Sequence, residues 1–115
     1  MKTGKVWGTS KQLIRTPNFE LYLIETIQGS YCSEHRHEFK TNWFYVLTGE
    51  LLIQRWKENG LIDITVLEPG DQTEVPPNEW HQFSSPKNST ALEAYYSCAP
   101  LENDIIRRSQ GGVQC

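Results

Sequence analysis

Short apolar runs and turn-forming residues alternate along almost the whole chain. In residues 19–27, Leu21 and Leu23 fall on one face of an extended segment, and Tyr22 and Ile24 fall on the other, as the two-residue period of a β-strand requires. Gly, Pro, Asn and Asp residues separate such runs and mark turns. The pattern predicts strands at residues 6–14, 19–27, 31–37, 43–48, 51–56, 62–67, 73–75, 80–83 and 90–96.

Short strands at such close spacing favour an antiparallel sandwich or barrel. A single helical turn is predicted only in residues 102–108, where Asn103 or Asp104 can cap it. A Gly-Gly pair in the last seven residues predicts a flexible tail. We therefore assign residues 1–108 to one β-barrel domain and residues 109–115 to the tail.

Composition narrows the range of partners. A chain of 115 residues fits one domain, and a net charge of −3 without any basic run makes nucleic acid and anionic membranes poor partners. The first residues show no secretory signal, and the longest apolar run is far too short to cross a membrane. The cysteines Cys32, Cys98 and Cys115 lack the spacing of a metal knuckle. Reduced thiols, an exposed Cys115 and a cytoplasmic location are expected.

The three histidines of the chain are placed where they can meet. His35 and His37 are two residues apart on an extended segment, so both side chains point to the same face. His81 lies in another predicted strand, which a barrel can bring across from the first pair. Two surface histidines beside a charged turn are the alternative interpretation of the His-x-His pair.

Two segments resemble the two motifs of the cupin family. Residues 29–49 carry Gly, five residues, His35-x-His37 and a closing Gly, and residues 70–81 carry Gly, five residues, Pro76 and then His81. The resemblance implies an all-β, single-domain double-stranded β-helix, similar to the small phosphomannose isomerase-like members of the family. It also implies that the three histidines bind a divalent transition metal, with Fe, Zn, Ni and Mn as candidates.

Two residues depart from the motifs. Asn78 replaces a glycine, and Asn tolerates the left-handed backbone that such a turn needs. Asn42 stands where cupins usually carry a glutamate ligand, and it offers only a neutral amide oxygen as a fourth metal group. Three histidines with open positions are typical of a catalytic site, and three-histidine iron sites occur in dioxygenases of the superfamily.

The resemblance therefore implies a metal-dependent enzyme, of dioxygenase, isomerase or lyase type, acting on a small anionic or sugar-derived metabolite. The alternatives are a non-catalytic small-molecule-binding cupin and a purely structural metal site. Glu93 and Tyr95 share one face of the last strand. If that face points inward, Glu93 is a general base or a further ligand and Tyr95 lies beside it; the sequence leaves open whether it does.

Further residues complete the expected site and surface. Phe44, Val46 and Phe83 share strand phase with the ligand positions and should form an apolar wall around the metal, with Tyr22 and Tyr31 at the mouth of the pocket. The phase of Cys32 and of Arg36 directs them away from the metal. The tryptophans are expected outside the barrel and at the contact of a homodimer; they are Trp7, Trp43, Trp56 and Trp80.

Overall fold

The computed structural model describes residues 2–98 and 105–114. These residues form β-strands and no helix, and the predicted all-β class is confirmed. A search of them finds no helix with the length and hydropathy that a membrane span requires. In chain order the strands are β1 (Lys2–Lys5), β2 (Gly8–Thr16), β3 (Phe19–Thr26), β4 (Ser30–Tyr31), β5 (His35–Arg36), β6 (Thr41–Thr48), β7 (Leu51–Trp56), β8 (Ile62–Leu67), β9 (Gln72–Val75), β10 (Trp80–Ser85), β11 (Ser89–Tyr96), β12 (Ile106–Arg107) and β13 (Gly112–Val113).

The strands make two antiparallel sheets. The first sheet has the order β1-β2-β3-β11-β6-β9. In the second, β10 is central and pairs with β7 on one side and with the short strands β4 and β5 on the other, while β8 extends the sheet beyond β7. Strands that neighbour each other in a sheet are often distant in sequence, as β3 and β11 are. This connectivity places residues from both cupin-like segments opposite one another.

Alternation along the strands builds the core between the two sheets. On β6, Phe44 and Val46 are fully buried while their neighbours are less so, and Ile53 and Phe83 face them from the second sheet. The rings of Phe44 and Phe83 meet edge to face, with centroids 6.1 Å apart. The side chains predicted to form an apolar wall therefore belong to the hydrophobic core.

Trp7 corrects one prediction about the tryptophans. It is buried, belongs to the core cluster and contacts Phe83 edge to face at 5.0 Å between centroids. It precedes β2 rather than lying in it, so strand phase does not predict its direction. The other three tryptophans, Trp43, Trp56 and Trp80, alternate with buried residues and lie on outer faces.

The chain beyond residue 104 differs from the expectation of a helical turn followed by a loose tail. Part of the predicted helical turn lies outside the described residues, and its described part contains strand β12, which pairs with β5. Strand β13, inside the predicted tail, pairs with β4. Both strands form only through distant partners, which local sequence preferences do not reveal. Cys115 lies outside the described residues.

Candidate metal centre

The three histidines converge between the sheets. His35 on β5 and His81 on β10 are direct cross-strand partners, and His37 follows two residues after His35. Their ring centroids are 4.5 Å (His35–His81), 5.1 Å (His35–His37) and 5.5 Å (His37–His81) apart. Each offers one ring nitrogen, and these atoms lie within 4.8 Å of one another. All three side chains are buried, so the surface interpretation of the His-x-His pair is wrong.

Backbone carbonyls orient two of the rings. His35 Nδ1 lies 2.8 Å from the carbonyl oxygen of Ser33, and His81 Nδ1 lies 2.9 Å from that of Glu79. A carbonyl only accepts, so Nδ1 donates in both cases and Nε2 presents its lone pair. Among the described residues, the buried Nε2 of His35 has no hydrogen-bond partner.

Burial keeps these rings neutral. Desolvation, reinforced by His81 and His37, lowers the pKa of His35 to about 2. Desolvation also lowers the pKa of His81 to about 4, against the smaller opposing effect of the Glu79 carbonyl. Neutral imidazoles with inward Nε2 lone pairs are the form in which histidine binds a transition metal. The donor set therefore fits a divalent transition metal.

Asn42 faces the histidines from the opposite sheet. It is fully buried on β6, and its Oδ1 lies 3.1 Å from His81 Nε2. Its Nδ2 donates to Glu93 Oε2 at 3.3 Å and to the carbonyl oxygen of Ala94 at 3.2 Å. The amide is therefore held at both ends, with its oxygen beside the histidine cluster.

Glu93 and Tyr95 point inward, which resolves the strand phase that the sequence left open. Glu93 is only 7% exposed, and burial raises the pKa of its carboxyl group. Burial and the nearby Glu93 raise the pKa of the Tyr95 hydroxyl well above its usual value. The Tyr95 ring lies 5.2 Å from that of His37, so the two residues extend the histidine cluster on the side of β11.

A cavity of about 480 Å³ adjoins the cluster. His35, Glu93 and Tyr95 line it, together with Tyr22. Two further walls come from segments outside the motifs, residues 4–7 and residues 105–111. Tyr22 is therefore in the predicted place, whereas Tyr31 does not line this cavity.

The sequence reasoning missed two basic residues at this cavity. Lys5 and Arg107 both line it, and Arg107 Nε donates to Ser33 Oγ at 3.2 Å. Ser33 Oγ in turn lies 3.0 Å from His35 Nδ1. Lys5 lies on β1, which pairs with the neighbouring strand β2, and Arg107 lies on β12, which pairs with the distant strand β5. Nothing in the local sequence of either residue indicates that its strand borders the cavity.

Three further residues discussed in the sequence analysis, Cys32, Arg36 and Asn78, make hydrogen bonds outside the histidine cluster. The Cys32 thiol lines the cavity but accepts a hydrogen bond from the Phe83 amide at 3.1 Å, and burial strongly raises its pKa. Arg36 donates to Asn78 Oδ1 at 3.0 Å, away from the cluster. Asn78 has φ 65°, so it takes the left-handed turn predicted for it.

Comparison with known proteins identifies the family. A family model described as "Cupin domain" matches residues 22–96, which is more than half of the chain. A search of curated protein sequences finds no match. Among solved structures, oxalate decarboxylase from Bacillus subtilis is similar: a single-substitution variant has a TM-score of 0.81 at 16% identity and covers 94% of this chain and 30% of its own.

Two further structures of that enzyme give the same result. The form at pH 4.6 has a TM-score of 0.80 at 16% identity, covering 93% of this chain and 29% of its own. A structure solved for work on the Mn(II) centres of the enzyme has a TM-score of 0.77 at 15% identity, covering 93% and 30%. This chain thus spans less than a third of the length of these proteins, and at such identity the likeness concerns the fold. Together with the family match over residues 22–96, it establishes that the chain belongs to the cupin family.

Proposed function

We propose that this protein is a metal-dependent enzyme that acts on a small anionic metabolite. His35, His37 and His81 hold the metal, with Asn42 as a neutral fourth group. The observation that carries the proposal is the convergence of three buried imidazoles beside a cavity that titratable side chains also line. Perturbed titratable groups in a concave site are typical of active sites.

The metal is a divalent transition ion, and Fe, Zn, Ni and Mn all accept imidazole ligands. When bound, such an ion acts as a Lewis acid on an oxygen atom of the substrate. Mn²⁺ is the first ion to test, because the similar oxalate decarboxylase has Mn(II) centres. The alternative of a purely structural metal does not account for the adjoining cavity.

Charge supports an anionic substrate. The ligand set of three imidazoles and one amide is neutral, so a bound divalent ion keeps its full charge. Among the described residues that line the cavity, Lys5 and Arg107 are cationic and Glu93 is the one with a carboxyl group. A volume of about 480 Å³ lies within the usual range of small-molecule sites, and it accommodates a short carboxylate or a sugar-derived acid.

Glu93 and Tyr95 are the proton-handling pair of the proposed reaction. Because its pKa is raised, Tyr95 keeps its hydroxyl proton at neutral pH and donates a hydrogen bond to a developing negative charge. The raised pKa of Glu93 brings its carboxylate closer to the range of an efficient general base. A group that takes up a proton favours isomerase or lyase chemistry. Of the three proposed reaction types, dioxygenase chemistry is then the least favoured.

A non-catalytic small-molecule-binding cupin is the second candidate. The observation that favours it is Asn42, which replaces the glutamate that the family usually places among the ligands. Such a protein would bind a metal and an anion without turnover, and Glu93 and Tyr95 would then serve only to hold that ligand.

Metal content followed by an activity screen tests the proposal. The bound metal is first measured in purified wild-type protein and in the His81→Ala variant. Both proteins are then loaded with Mn²⁺ or Fe²⁺ and assayed with oxalate, other short carboxylates, thiols and diketones. Each assay is run with and without dioxygen. We expect about one ion per wild-type chain, its loss in His81→Ala, and turnover that Tyr95→Phe reduces. Bound metal with saturable anion binding but no turnover would favour the binding protein, and wild-type protein that binds no metal would overturn both functions.

We also propose that the protein is a cytoplasmic homodimer. Ile62, Ile64 and Val66 alternate along β8 and are 50–56% exposed, and among the described residues β8 pairs only with β7. An exposed apolar edge strand is prone to pair with another chain, and pairing of β8 with its copy would cover it. Ile64→Lys should convert the dimer to monomer in sedimentation equilibrium, and a wild-type monomer at high concentration would contradict the proposal. The thiols of Cys32 and Cys98 are free, in keeping with a reducing compartment.

A further inference from the structure

The orientation of the Asn42 side-chain amide is fixed by its surroundings. Its Nδ2 lies 3.2 Å from the carbonyl oxygen of Ala94 and 3.3 Å from Oε2 of Glu93. A backbone carbonyl can only accept a hydrogen bond, so the amide nitrogen must face it. Rotating the amide by half a turn would set its oxygen against these two oxygens. Oδ1 therefore faces the histidines.

This orientation brings two lone pairs together. Oδ1 of Asn42 lies 3.1 Å from Nε2 of His81, and His81 Nδ1 already donates to the carbonyl oxygen of Glu79. Two acceptors at this distance repel one another unless a positive charge lies between them, either a proton or a metal ion. Two neighbouring ligands of one ion, each about 2.1 Å from it, are about 3.0–3.4 Å apart.

A second atom distinguishes the metal ion from the proton. Nε2 of His35 is buried and has no hydrogen-bond partner in the part of the chain that the structure describes, and its ring lies 4.5 Å from that of His81. A proton on His81 would satisfy the contact with Asn42 but leave the nitrogen of His35 unsatisfied. A metal ion satisfies both nitrogens and the amide oxygen together.

We propose that Glu93 is a positioning residue that, together with the carbonyl oxygen of Ala94, holds the amide oxygen of Asn42 toward the metal. This inference rests on the metal site of the proposed function and deepens it. The family places a carboxylate directly among the ligands, whereas here the carboxylate lies behind an amide and acts through it. The ion therefore keeps a neutral ligand set, and the positioning role of Glu93 is separate from its proposed role in proton transfer.

Metal binding by matched variants tests the inference. Chelator-treated wild type, Glu93→Ala, Glu93→Gln and Tyr95→Phe are titrated with Mn²⁺ and with Co²⁺, whose visible absorption reports the ligand set. Loss of an outer partner of a ligand lowers metal affinity about 10–100-fold, so we expect that loss and an altered Co²⁺ spectrum in Glu93→Ala. Glu93→Gln keeps an oxygen that accepts from Asn42 and should retain the affinity and spectrum of the wild type. Tyr95→Phe removes a hydroxyl that hydrogen-bonds to Glu93 but keeps the Asn42–Glu93 hydrogen bond. It is therefore the control for loss of another partner of the carboxylate, and it should also retain the affinity and spectrum of the wild type.

Each outcome decides the question. Wild-type affinity and spectrum in Glu93→Ala would overturn the positioning role while leaving the metal site in place, and equal losses in Glu93→Ala and Glu93→Gln would show that charge rather than amide orientation matters. If Glu93→Ala does not fold, Asn42→Leu replaces it in the titration. Loss of metal affinity in Asn42→Leu, with metal affinity retained in Glu93→Gln, would support the inference. Metal affinity retained in Asn42→Leu would overturn it. Wild-type protein that binds neither ion overturns the proposed function itself.

Discussion

Acidification of the metal-free protein should destabilise it through its buried histidines. In the folded protein, burial lowers the pKa of His35 to about 2 and that of His81 to about 4. In the unfolded chain both residues have a pKa of about 6.5. Between pH 7 and pH 5 the unfolded chain therefore binds protons that the folded protein does not, and stability is lost as the pH falls through this window.

The size of the loss follows from the two pKa values. At pH 5 a histidine is about 1.5 units below its unfolded pKa, and at about 1.4 kcal/mol per unit this costs about 2 kcal/mol for each of the two residues. Glu93 acts in the opposite direction, because its raised pKa lets the folded state gain a proton as the pH falls. The two histidines together can cost up to about 4 kcal/mol, which is a large part of the free energy of unfolding of a typical domain, about 5–15 kcal/mol.

Denaturant unfolding at pH 7 and pH 5, with chelator present, measures the effect. Because other groups contribute, the decisive quantity is the difference between wild type and His81→Gln. The variant should lose about 2 kcal/mol less than the wild type on going from pH 7 to pH 5. Equal losses in the two proteins would show that His81 is not held neutral by burial, and the reasoning about its inward lone pair would then be wrong.

Two further predictions concern the walls of the cavity. A Cβ added at Gly111 would lie 2.7 Å from the carbonyl oxygen of Tyr31, whereas one at Gly4 meets nothing within 4 Å. Gly111→Ala should therefore lower the free energy of unfolding, measured in urea, by about 1–3 kcal/mol, and Gly4→Ala should leave it unchanged. Equal effects of the two substitutions would contradict the close packing of residues 105–111. Trp7→Ala should lower the free energy of unfolding by about 3–5 kcal/mol, because the ring is buried in the core. Leu61 is exposed, so Leu61→Ala should change the thermal midpoint little. A small effect of Trp7→Ala would place that ring outside the core.

Much of the site was predictable because its residues are close together in a regular strand. His35 and His37 share a face through the two-residue period, and Asn78 replaces a turn glycine with a residue that accepts positive φ. Each of these inferences needs only local geometry. His81 was assigned through its motif, and the structure places it directly opposite His35.

The rest of the site depends on distant pairing. The direction of Glu93 is set by the register of β11 against β3 and β6, which the sequence of β11 alone does not determine. Arg107 reaches the cavity because β12 pairs with β5, and a short segment with few apolar residues gives no strand signal of its own. Trp7 was misplaced for a related reason, since it enters the core from a turn.

The wall formed by residues 105–111 contributes no member of the hydrophobic core cluster and none of the candidate metal ligands. Its Arg107 is linked through Ser33 to His35 and its Gly111 packs closely against the backbone of Tyr31, whereas exchange of Ile105 or Gln110 leaves both of these contacts intact. In the proposed enzyme, substitution of Ile105 or Gln110 would therefore change selectivity for one acid over another while leaving the candidate metal ligands unaltered. A scaffold divided in this way gives evolution, and protein engineering, a place to alter substrate choice at small cost in stability.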